Sequence, residues 1–78
     1  MTSHPSLDFA VQAILAYLQQ RPDAADTLEG IHHWWISWPG PEESPAVTLA
    51  ALEQLESRGM VTRVLLGQRS LWRRAPTR

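Results

Sequence analysis

Apolar positions in the first third of the chain follow a helical period. Leu7, Val11, Ile14, Leu15 and Leu18 recur at i, i+4, i+7, i+8 and i+11, the stripe of a helix packed on a core. Phe9, Ala13, Ala16 and Tyr17 widen that stripe, so the helix is expected to meet more than one neighbour. Ser6 is its expected cap, and Pro22 stops it after Gln19-Gln20-Arg21. A second helix is expected from Asp26-Thr27-Leu28-Glu29, which has capping-box spacing with Asp26 as cap. Leu28, Ile31 and Trp35 then fall inward at i, i+3 and i+7, with Trp34 beside them. Gly30 weakens this helix by about 1 kcal/mol relative to alanine, which points to a close approach there by another group. Pro39-Gly40-Pro41 excludes helix beyond Ser37.

Ser44-Pro45, a serine cap before a proline at the first helical position, opens a third helix running to about Arg58. Thr48, Ala51, Leu52 and Leu55 share one face of it. Gly59 supplies a left-handed residue to close the helix, and Met60 can fold back on its last turn. Val61–Leu66 and Arg69–Arg74 then flank Gly67-Gln68, a tight hairpin turn. The elements fill one domain, residues 1–78, with 1–5 and 75–78 expected as loose tails.

The run A-L-x-x-L-x-x-x-G-M-V at Ala51–Val61, followed by a hairpin, resembles the third helix and wing of bacterial winged helix-turn-helix regulators of the MarR-like and PadR-like kind. The specific match, Thr48–Trp72, spans about a third of the chain, and the order of elements extends it to nearly all. The resemblance implies a mainly α winged-helix fold, three helices plus a two-stranded β-hairpin. It also implies double-stranded DNA as partner, with the third helix in the major groove and the wing on phosphates. The link between helices two and three, Ser37 to Glu43, is longer than the tightest turn of that family.

Charge sharpens this picture. Residues 1–57 hold all eight acids and only Arg21, a net −7, whereas residues 58–78 hold six arginines and no acid, a net +6. A basic wing and tail on an acidic helical body bear on partners and orientation rather than on fold. Arg63, Arg69, Arg73 and Arg74 suit phosphate contact, and Gln68 at the turn suits a minor-groove edge. Ser44 and Thr48 near the start of helix three suit phosphate, aided by the helix dipole. Gln54 is the one base-reading type on that helix before Arg58, among outward positions Ala46, Val47, Leu49, Ala50, Glu53, Gln54, Glu56 and Ser57. The alternative is a protein-interaction module without DNA binding, with Val47, Leu49 and Trp38 as an apolar docking patch. Trp38 either anchors such a partner or folds back over the core, while Trp34, Trp35 and Trp72 are assigned to the core.

Other chemistry finds little footing. Cysteine is absent, so no disulfide or thiolate metal site is expected. His32-His33, with His4 remote, reads as a pair of solvated helix residues, since adjacent helical histidines point about 100° apart. No metal, cofactor or catalytic residue is therefore expected: the serines lack a G-x-S-x-G setting, the carboxylates read as solvated surface, and Gly40 and Gly67 are isolated. No apolar run reaches the roughly 20 residues of a membrane span and no signal-peptide pattern opens the chain, so a cytoplasmic location is expected. A domain this small buries little DNA-contact area, which implies a homodimer or a protein partner.

Overall fold

A computed structural model describes residues 5–76. The elements are α1 (Pro5–Gln20), β1 (Ala25–Asp26), α2 (Leu28–Gly30) continued by a π-helical turn (Ile31–Trp35), α3 (Pro45–Ser57), β2 (Val61–Leu66) and β3 (Arg69–Arg74). The strands form one antiparallel sheet of order β1-β3-β2. The fold is thus three helices and a three-stranded sheet, one strand more than the hairpin that alternation predicts.

Helix α1 begins at Pro5, so Ser6 lies inside its first turn rather than capping it. Its stripe buries Ala10, Val11, Ile14 and Leu18, and Tyr17 stacks on Trp35 with ring centroids 4.4 Å apart. The chain turns at Pro22 as expected. It then pairs Ala25 with Arg73 and Asp26 with Trp72, a strand too short to show alternation in sequence.

The second helix is capped one residue later than the box spacing suggests. Thr27 Oγ1 accepts from Gly30 N at 3.2 Å, while Asp26 Oδ1 accepts from Thr27 N at 2.8 Å. The Asp26 carboxylate occupies the space that a Cβ on Gly30 would need, which is the close approach anticipated at this glycine. From Ile31 the helix widens to a π turn and ends at Ile36, whose backbone is extended. The inward stripe from Leu28 continues through it. Ile31, His32 and Trp35 are buried, and Trp34, expected in the core, is 79% exposed.

Helix α3 has the predicted ends. Ser44 Oγ accepts from Ala46 N at 3.2 Å, and Pro45 occupies the first turn. At its C-terminus Met60 N bonds Leu55 O at 2.9 Å and Gly59 N bonds Glu56 O at 3.0 Å, with Gly59 at φ 75°. This is a Schellman closure, and it hands the chain directly to β2. Gly67, at φ 65°, starts the two-residue turn that pairs Leu66 with Arg69. Val61 and Trp72, on the inner face of the sheet, close the core against Ile14, Leu18, Ile31, Leu52 and Leu55.

Two expected tail residues are structured: Pro5 opens α1, and Ala75 N donates to Met60 O at 3.1 Å. Residues 1–4, with His4, and residues 77–78 lie outside the described residues.

Gly30→Ala should destabilise the chain by about 1–3 kcal/mol, because overpacking against Asp26 outweighs alanine's helix propensity. Urea denaturation checks this. Gly30→Ala introduced into Asp26→Ala should cost clearly less, since the obstructing carboxylate is gone.

Candidate functional surface and the buried histidine

The hairpin gathers five of the residues singled out for DNA contact, Arg63, Gln68, Arg69, Arg73 and Arg74, and all are exposed. Strand alternation divides them. Thr62 opposes Arg73 and Leu66 opposes Arg69, so these arginines share the outer face with Val64 and Leu71. Arg63 and Arg74 lie at the rim of the inner face, where Arg63 opposes Trp72 and its guanidinium sits 4.4 Å from that ring's centroid. From Arg69 at the tip to Arg74 at the base the strand covers about 17 Å. Among the described residues the ion pairs involve only His32, His33 and Glu42, so none of these arginines is in direct contact with a carboxylate, Glu29 sharing a cleft with Arg69. Gln68 occupies the turn itself, between two exposed leucines, Leu65 at 73% and Leu66 at 65%, and Arg69.

Helix α3 supplies fewer contacts. Ser44 is exposed at its start, Gln54 is half-buried, and Arg58 is exposed at its C-cap. Thr48 is fully buried, and its hydroxyl lies 2.6 Å from Nδ1 of His32, so it is removed from the candidate phosphate contacts. The exposed positions Ala46, Ala50, Glu53, Glu56 and Ser57 carry no base. Val47 and Leu49 are half-buried and pack on the core cluster, which takes much of the apolar area from the alternative docking patch. Trp38 is held as well. Its Nε1 donates to His32 O at 3.1 Å, and its ring lies 5.9 Å from Phe9 and 5.3 Å from His32.

The histidine pair is not two solvated residues. His32 is fully buried, while His33 is exposed with Nδ1 2.8 Å from Glu42 Oε2. Leu28, Ile31, His32 and Trp35 stand at i, i+3, i+4 and i+7, so His32 lies on the inward stripe while His33 falls beside it.

Comparison with protein-family models, with curated proteins and with solved structures finds no match to this chain. No helix among the described residues is long and apolar enough to cross a membrane.

Thr48→Val keeps side-chain shape but leaves Nδ1 of His32 buried without a partner. The expected loss is about 1–3 kcal/mol in chemical denaturation. An equal-volume apolar swap at the exposed face of α3 should cost within about 0.5 kcal/mol.

Proposed function

We propose that this chain is a winged-helix DNA-binding protein of the bacterial regulator kind, docking chiefly through its hairpin. The observation that carries this is the set of exposed arginines without an ion-pair partner, Arg69 and Arg73 on the outer face and Arg63 and Arg74 at the inner rim, on an acid-free hairpin. The element order and the β1-β3-β2 sheet, with the hairpin directly after α3, are compatible with a winged helix. In this proposal the hairpin arginines clamp phosphates and Ser44 at the α3 N-terminus adds a further contact. Base readout from α3 is confined to Gln54 and Arg58, so affinity is dominated by the backbone term. A second copy or a tethered partner supplies the remaining contact area.

A protein-interaction module without DNA binding is favoured by a different observation. Leu65 and Leu66 at the hairpin tip and Trp34 on the second helix are large, apolar and exposed. Those residues replace Trp38, Val47 and Leu49 as the first to mutate in search of a partner.

Fluorescence anisotropy with random duplex DNA separates the two. Four phosphate contacts give a salt slope near −3.6, so affinity should fall about 100-fold between roughly 50 and 200 mM salt. Arg69→Ala/Arg73→Ala should bind more weakly and lose only about 10-fold over the same range. Absence of binding at the lower salt, or a salt-independent affinity, would reject the DNA proposal in favour of the interaction module.

A further inference from the structure

We propose that His32, His33 and Glu42 form a binding site for a divalent transition-metal ion of the zinc class. Nε2 of His32 is the starting point. It is fully buried and makes no hydrogen bond, the only such buried side-chain nitrogen or oxygen among the described residues. Its nearest charged neighbour is Glu42 Oε1, 3.7 Å away and beyond hydrogen-bond reach. A buried donor or acceptor left in this state calls for an occupant.

The other face of the ring is already fixed. Nδ1 of His32 is bound to Thr48 Oγ1, the kind of outer contact that orients a metal-ligating imidazole. In the tautomer whose Nδ1–H donates to that hydroxyl, Nε2 keeps a free lone pair 3.7 Å from a carboxylate oxygen. Two electron-rich atoms then face one another across a gap that a cation would bridge.

His33 completes the set. Its Nδ1 lies 2.8 Å from Glu42 Oε2, and one ligand atom from each of the three residues falls within 4.8 Å of the others. Around a tetrahedral zinc with bonds near 2.0–2.1 Å, ligand atoms stand about 3.3 Å apart. The widest separation therefore needs to close by at most about 1.5 Å and the His33–Glu42 pair to open slightly, and those two residues, both half in solvent, have room to do so. The objection that adjacent helical histidines diverge loses force here. The π turn spaces side chains differently, the rings lie 5.2 Å apart edge to face, and the two residues present different nitrogens, Nε2 and Nδ1.

The donor chemistry selects the ion. Two imidazoles and one carboxylate suit zinc, cobalt or nickel, whereas magnesium and calcium prefer all-oxygen shells. Solvent supplies the remaining positions on the exposed side of His33 and Glu42. Bound there, the ion ties Glu42 of the linker to the second helix and, through His32 and Thr48, to α3.

The test is calorimetric titration of the tag-free chain with zinc, paralleled by visible absorption with cobalt. The expected result is one ion per chain and a cobalt band that zinc removes. His33→Ala and Glu42→Gln, at exposed positions that leave the fold intact by circular dichroism, should each weaken zinc binding at least 10-fold. His4→Ala should change it less than 2-fold. Lack of one-to-one binding at several hundred micromolar zinc would overturn the proposal. So would unchanged affinity in both His33→Ala and Glu42→Gln, or a 10-fold loss in His4→Ala, which would move the site to the N-terminus.

Discussion

The hydrogen bond between His32 and Thr48, 2.6 Å long and sealed from solvent, fixes where α3 lies against the second helix. Nine residues separate Trp35 from Pro45, and a linker of that length leaves the relative placement of two helices open. Leu52 and Leu55 are fully buried in the shared core, but apolar contacts carry no directional requirement of their own. A buried polar pair is less forgiving, since sliding either helix by a turn would strand both an imidazole and a hydroxyl without water to replace the lost partner. Trp38 reinforces the arrangement from the linker side, donating to the carbonyl of the same histidine. The polar centre thus orders the linker, the second helix and α3 together, while the sheet closes the opposite side of the core through Trp72.

Local signals account for what was legible in the sequence. The ends of α3 were readable because Ser44, Pro45 and Gly59 each satisfy backbone groups within a few residues of themselves. The hairpin was readable for the same reason, its turn being two residues with a glycine at positive φ. Strand β1 was not, because Ala25 and Asp26 are extended only through partners some 47 residues away, Arg73 and Trp72. The cap of the second helix slipped by one because Asp26 and Thr27 can both accept from a helix N-terminus, and pairing of Asp26 in the sheet decides between them. Burial of His32 was legible as well, since Leu28, Ile31, His32 and Trp35 recur at i, i+3, i+4 and i+7. What the stripe does not show is the polar partner that makes a buried imidazole tolerable, Thr48, on another helix.

The same distinction runs through the candidate sites. An arginine row on an acid-free hairpin is legible as composition, since exposed strand positions keep their charge whatever the rest of the chain does. Convergence of His32, His33 and Glu42 is not, because Glu42 belongs to the linker and reaches the histidines only along the path that Trp38 and Thr48 impose.

Charge placement also constrains how the proposed DNA complex would be oriented. Arginines extend over about 17 Å of the hairpin, further than the screening length at physiological salt, so they act as separate contacts rather than as one point charge. Glu53 and Glu56, exposed on the C-terminal half of α3, would meet phosphate repulsion if that half lay deep in a groove. Its N-terminal end offers Ser44 and the positive end of the helix dipole, but the exposed Glu42 and Glu43 immediately before it set a similar repulsion against that attraction. The arrangement of lowest electrostatic cost therefore leads with the hairpin, which carries no acid. In that orientation few side chains reach base edges, and discrimination between sequences falls to groove shape and deformability more than to direct readout.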